Sequence, residues 1–209
     1  MGAKIAELAS ADPKVEVAVR LDVGSSPTQM KAGKVVIDFS QPEASLAHLA
    51  EAVRQKKPYV LGTTGFSPAQ DRVIQKASRS IALVRSSNMS QGVNVFFSVA
   101  QKIAKTLPGY RVHIQETHHV HKKDAPSGTA LQAGKLIEKV SKQKVTYESF
   151  REGDVVGDHR VTFTGPMDKV ELFHHADSRD IFAAGAIQAA KWVAGKKPGL
   201  YSMQDVLAL

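Results

Sequence analysis

Between Glu116 and Ala130 the chain gathers three imidazoles (His118, His119, His121), two ammoniums (Lys122, Lys123) and the turn Pro126-Ser127-Gly128-Thr129. Histidine titrates near neutrality and can pass a proton. Serine and threonine hydroxyls, with the free N–H groups of a helix start, bind carboxylate or phosphate oxygens. The residue types therefore suit proton transfer on a small anion. A lone strand histidine is usually structural, and Pro-Ser-Gly-Thr before an apolar run is often only a helix cap. Clustered imidazoles beside two lysines are not explained that way. Zinc is disfavoured: the histidines lack the i, i+4 spacing of a helical pair, cysteine is absent, and Lys122 and Lys123 would repel the ion.

Two elements must position this group. Arg111–Gln115 alternates as a strand does, and Leu131–Ile137 has helical apolar spacing. Upstream, residues 1–90 alternate helix and strand. Helices are expected at 2–11, 42–55 and 68–77, and strands at 15–19, 34–38, 58–61 and 81–84. That order implies a parallel sheet covered by helices. Ligands of such sheets bind beyond the carboxyl ends of the strands. Those ends carry Asp38-Phe39-Ser40, Gly62-Thr63-Thr64-Gly65 and Ser86-Ser87-Asn88-Met89, whose glycines and hydroxyls suit close approach of a dinucleotide. Residues 92–107 read as a helix, 144–150, 159–164 and 170–174 as strands of an open mixed sheet, and 181–193 as an Ala-rich helix.

The 209 residues suffice for two small domains, and no apolar run approaches a membrane span. No disulfide or thiolate chemistry is available without cysteine. A formal charge of +8 could mean nucleic acid, but the basic residues are scattered and no aromatic-interleaved stripe or nucleic-acid motif occurs. An acidic substrate and a polyphosphate cofactor account for the excess instead. A cytoplasmic enzyme, with neither nucleic-acid nor membrane partner, is the expectation.

The run from Glu116 to Ala130 closely resembles the E-x-H-H-x-x-K-x-D-x-P-S-G-T-A signature of dihydrodipicolinate reductases. Asp38-Phe39-Ser40, Gly62-Thr63-Thr64-Gly65, Val155-Val156-Gly157-Asp158-His159 and His174-His175-Ala176-Asp177-Ser178-Arg179 also match family segments, as does the tail from Gly199 to Leu207. The resemblance covers nearly the whole chain. One departure stands out. A Rossmann unit is expected to open with a strand and a Gly-rich turn. Met1-Gly2-Ala3-Lys4 looks like the tail of that turn, so the first strand is expected to be absent, with Gly2 alone representing the turn.

The resemblance implies an α/β fold: a Rossmann-like domain, 1–89 with 180–209, and an α+β substrate and oligomerisation domain, 90–179, assembled as a homotetramer. It implies NADH- or NADPH-dependent reduction of dihydrodipicolinate in lysine and diaminopimelate biosynthesis. On that reading His118 is the acid/base and Lys122 the second cation. His119, Ser127, Gly128 and Thr129 bind the dicarboxylate. Gly2, Asp22, Phe39, Ser40, Gly62, Thr63, Thr64, Ser86, Ser87, Asn88 and Met89 hold the cofactor, Asp22 as the ribose-reading acid, and no metal is called for. Arg179 either orients the site or forms an ion pair with Asp177 or Asp180. Two rivals are a truncated remnant that binds dicarboxylates without turnover, and another Rossmann oxidoreductase acting on a small dicarboxylate.

Overall fold

The structure is a computed structural model describing residues 1–209. In chain order the elements are α1 (Gly2–Ser10), a 3-10 turn (Pro27–Ala32), β1 (Val36–Asp38), α2 (Pro42–Arg54), β2 (Tyr59–Leu61), α3 (Pro68–Ala77), β3 (Ala82–Arg85), α4 (Gln91–Thr106), β4 (Arg111–His118), α5 (Gly128–Ser141), β5 (Val145–Arg151), β6 (Asp158–Thr164), β7 (Lys169–His175), α6 (Asp180–Val193), β8 (Gly199–Tyr201) and α7 (Met203–Leu207). They divide into two compact units, Met1–Gln91 with Asp180–Ala208, and Gly92–Arg179.

The first unit is built on a parallel sheet in the order β1-β2-β3-β8. Successive side chains of a strand point to opposite faces. Val60, Ala82 and Val84 accordingly pack with Ile5 and Ala9 of α1 and with Ala183, Ala186, Ala189 and Val193 of α6. Tyr59, Leu61 and Leu83 pack with Leu49 and Ala52 of α2 and Ile74 of α3. Pro42 and Pro68 open α2 and α3, where a missing N–H costs nothing, and Ser67 with Gln70 forms a capping box.

The strand expected at Val15–Val19 does not form. That segment has no neighbouring strand to accept its backbone bonds; the Val15 N–H bonds to the Asp12 carbonyl, and Val17 is exposed. Alternation alone cannot make a strand without a partner edge. Conversely β8, which joins β3 in parallel, lies in a Pro-Gly-Leu-Tyr stretch with no strand periodicity.

The second unit is a mixed sheet in the order β5-β4-β6-β7, with β4 parallel to β5 and antiparallel to β6. One face carries Val112, Ile114, Val145, Val161 and Phe163 against α4 and α5, whose Phe96, Phe97, Ala100, Ala130, Ala133 and Ile137 are buried there. Burying each such Leu-, Val- or Phe-sized side chain stabilises by about 1.5–3 kcal/mol. The other face is open and presents Phe150 and Phe173 among charged residues. The α/β class and the open mixed sheet are as the sequence leads one to expect.

Candidate active site

Strand β4 runs three residues beyond the alternating core of its sequence and ends at His118. Its inward face starts apolar, with Val112 and Ile114, and finishes ionisable, with Glu116 and His118. The Glu116 side chain is fully buried, and a buried carboxylate needs partners. It has four. Nδ1 of His118 donates to Oε2. Arg151 of β5 forks onto both oxygens at 3.0 and 3.2 Å. The Ser127 N–H reaches Oε1 at 3.2 Å. Burial pushes the Glu116 carboxyl up, but the bonds from Arg151, Ser149 and His118 outweigh it and hold it below the usual range.

Since Glu116 accepts at Nδ1, the other nitrogen, Nε2, is the one free to exchange protons with a ligand. Gly157 faces it: a Cβ there would lie 3.0 Å from Nε2. Burial lowers the His118 pKa; Glu116 pulls it up, and Lys122 and Arg151 push it down again.

Residues 119–127 form the loop into α5. Lys122 stands at its turn, its ammonium 2.8 Å from Asp124 Oδ1 and mostly shielded from solvent. His119 is half-buried, with its ring 6.2 Å from that of exposed His121. Ser127 is the N-cap of α5: its hydroxyl accepts from the Ala130 N–H at 3.2 Å, and its N–H is held by Glu116. Gly128 is exposed at the first turn with open space about it, and Thr129 follows, half-buried. The loop thus brings His118, Lys122 and the start of α5 into one neighbourhood of the second unit.

His159 of β6 completes the floor. It is buried, its ring edge-on to His118 at 5.1 Å, with Nε2 3.0 Å from Ser127 Oγ. Burial, then the neighbouring His118 and His174, push its pKa down to about 3. Arg179, for which either an orienting role or an ion pair is expected, is exposed; Asp177 pairs with His175 at 3.3 Å, and Asp180 with Lys4 at 3.4 Å.

In the first unit, the loops after β1 and β2 are tied together. Asp38 is buried and accepts from Tyr59 Oη, from the Ser40 N–H at 2.7 Å and from His48. Burial raises its carboxyl, yet Ser40, Tyr59 and His48 together hold it below the usual value. Thr63 Oγ1 donates to the Ser40 carbonyl at 2.9 Å. A Cβ at Gly62 would lie 2.3 Å from the Phe39 ring, so any side chain there would displace that ring. Ser86 Oγ donates to the Asn88 carbonyl at 2.7 Å, and Asn88 accepts from the Ser90 N–H. Ser40, Thr63 and Ser86 therefore use their hydroxyls within the loops, whereas Thr64 and Ser87 are exposed. Met89 is core, its carbonyl against Gly185 of α6. Gly2 opens α1 with nothing near it. Asp22 follows no strand; it sits in an exposed turn, its carboxylate accepting from the Val23 N–H.

Residues 1–89 match the family described as dihydrodipicolinate reductase, N-terminus, and residues 92–207 match its C-terminus. The chain belongs to the dihydrodipicolinate reductase family. It is 43% identical to a 4-hydroxy-tetrahydrodipicolinate reductase of Xanthomonas euvesicatoria, over 99% of this chain and 93% of that one. With the reductase of Caldanaerobacter subterraneus it shares 38% identity over 99% and 94%. Among solved structures, a dipicolinate-bound dihydrodipicolinate reductase from Paenisporosarcina sp. TG-14 has a TM-score of 0.83 at 19% identity, over 98% of this chain and 94% of that one. A probable dehydrogenase from Thermotoga maritima has 0.66 at 9% identity, over 98% and 89%. These two likenesses speak to the fold.

Sequence reasoning picks out His118 and Lys122 but passes over Glu116, Arg151, Gly157 and His159. Glu116 had a signal, since it lies two residues before His118 and so on the same strand face. Gly157 and His159 stood in a family turn without a role. Arg151 had none: its place beside Glu116 depends on the pairing of β4 with β5, where His118 lies opposite it.

Proposed function

We propose that this dihydrodipicolinate reductase catalyses NAD(P)H-dependent reduction of dihydrodipicolinate, formed from 4-hydroxy-tetrahydrodipicolinate, to tetrahydrodipicolinate. One observation carries the reading: a histidine with Nδ1 fixed by a buried carboxylate ends the strand whose following loop carries a lysine and leads into a serine-capped helix start. A dianion needs such a set, in which a cation and helix N–H groups take the carboxylates and an imidazole handles the proton. Lys122 and the Ser127–Thr129 turn each hold a carboxylate, and His119 lines the pocket.

The nicotinamide, when bound, supplies a hydride. Reduction of a conjugated imine raises electron density on the ring, which a proton must relieve. His118 Nε2 delivers that proton. Unliganded, burial and the nearby cations favour neutral His118. A bound dianion adds negative charge beside it and favours the imidazolium, so the acid forms where the substrate is. Lys122 meanwhile stabilises the developing negative charge.

The loops after β1, β2 and β3 would hold the cofactor, with Thr64 and Ser87 exposed at the ends of parallel strands and Gly62 packed against the Phe39 ring. The open face of the mixed sheet, with Phe150 and Phe173, supports pairing with further copies in a homotetramer.

Calorimetric titration with NADH, NADPH and 2,6-pyridinedicarboxylate, followed by turnover of dihydrodipicolinate, tests the reading. A chain that binds neither nucleotide and turns over no substrate would overturn it.

A further inference from the structure

Arg151 transfers no proton and meets no substrate in the account above, yet all five of its N–H groups are engaged. Nη2 reaches Glu116 Oε1 at 3.0 Å and the Asp124 carbonyl at 2.5 Å. Nη1 reaches Glu116 Oε2 at 3.2 Å and the Phe150 carbonyl at 2.5 Å. Nε reaches the Lys122 carbonyl at 3.2 Å. Five donors are the whole inventory of a guanidinium.

Three of those partners, Glu116 and the carbonyls of Lys122 and Asp124, support substrate-facing groups. Glu116 holds His118 at Nδ1 and Ser127 at its N–H. The carbonyls of Lys122 and Asp124 belong to the turn that carries the Lys122 ammonium, itself bonded to Asp124. We propose that Arg151 is the positioning residue of this site: through Glu116 it sets the tautomer and angle of His118, and through two loop carbonyls it sets Lys122, fixing both before substrate arrives. The proposal rests on the roles of His118 and Lys122 given above.

A merely structural ion pair is the competing account. Buried pairs often contribute little net stability. Such a pair would not need to grip the loop on the far side of the carboxylate, and lysine could not imitate the planar fork that does so. The charges also act on His118 in opposite senses. Glu116 on its own strand favours the imidazolium, while Arg151 on β5 and Lys122 on the loop oppose it. His159 on β6, with His174 of β7 6.4 Å behind it, completes its surroundings.

The test uses the full chain with histidines labelled for NMR, comparing Glu116→Gln, Arg151→Met and Arg151→Lys. His118 titration, kcat at saturating cofactor and binding of 2,6-pyridinedicarboxylate are read, with thermal melts to establish folding. The expected result is a lower His118 midpoint in Glu116→Gln and a higher one in Arg151→Met. Each should lose about 10²-fold in kcat, the scale of an ångström-level misplacement. Arg151→Lys keeps the charge and loses the fork, so kcat should fall while the midpoint stays near that of the parent. Shifts in the same direction in the first two variants would overturn the proposal. So would kcat within a few-fold of the parent in Arg151→Lys, which also decides the matter if Arg151→Met does not fold. Failure of the functional reading is seen separately, as absent turnover and absent dicarboxylate binding in the parent, and leaves the opposed shifts readable.

Discussion

His118 donates through Nδ1 to the carboxylate of Glu116, two residues earlier on the same face of one strand. A strand repeats its side-chain direction every second residue, so this contact is local and survives any movement of the loop that follows. It leaves Nε2 free of that bond.

Replacing His118 by Gln keeps a polar side chain and removes the titrating group. The expected outcome is a fall in kcat of ~10²–10⁴-fold with a small change in KM. Steady-state kinetics with saturating cofactor measures it. Turnover within a few-fold of the parent would take the proton-donor role from His118.

Lys122→Ala should weaken 2,6-pyridinedicarboxylate by about 1.5–3 kcal/mol, the worth of a hydrogen bond to a charged group. Binding should also take up a proton, because the dianion raises the His118 pKa from its depressed position. Affinity should therefore decline as pH rises through the His118 pKa of the complex. Calorimetry in buffers of different ionisation heats reads both effects. Unchanged affinity in the variant would move the carboxylate site elsewhere.

Gly157→Ala sets a methyl 3.0 Å from His118 Nε2. The imidazole cannot turn aside without breaking its bond to Glu116. The variant should keep its fold and lose kcat by up to about 10²-fold, by the cost of misplacing a reacting group. A crystal structure of the variant with an unmoved His118, together with full activity, would contradict this.

The buried His159 makes stability depend on pH. Its pKa falls from an ordinary 6.5 to about 3 on folding. Below 6.5 the unfolded chain binds a proton that the folded chain refuses. The stability present above pH 6.5 is therefore lost as pH falls towards 3, at up to about 1.4 kcal/mol per pH unit. Denaturant titrations across that range, compared with His159→Phe, check it. Parallel slopes would show that His159 is not the group responsible.

The sequence made most elements of the fold readable because the chain is locally consistent. Prolines and capping residues open α2, α3 and α5 where the apolar spacing begins, and buried strands such as Tyr59–Leu61 are short apolar runs. The strand expected at Val15–Val19 failed because alternation says nothing about whether a partner edge exists. β8 escaped notice because its three residues are placed by pairing with β3 rather than by their own pattern. At the site, adjacency in sequence made His118, Lys122 and Ser127 visible together. Arg151 and His159 come from other strands, and only sheet register brings them in. The commitment of Ser40 and Thr63 hydroxyls to Asp38 and to a loop carbonyl could not be read from composition.

Helix α6 lies in the sequence after the whole mixed sheet, yet its Ala183, Ala186, Ala189 and Val193 fill the same core as Ile5, Val60 and Val84. A chain emerging from the ribosome has therefore made β1, β2 and β3 long before the helix that covers one face of them exists. The mixed-sheet unit, continuous in sequence from Gly92 to Arg179, meets no such delay. Contacts between distant segments close late, because the intervening loop must first be ordered. We therefore expect amides of β4, β5 and β6 to gain protection from hydrogen exchange before those of β1 and β2 during refolding. Pulse labelling that finds the reverse order would mean that α1, α2 and α3 alone hold the parallel strands until α6 arrives.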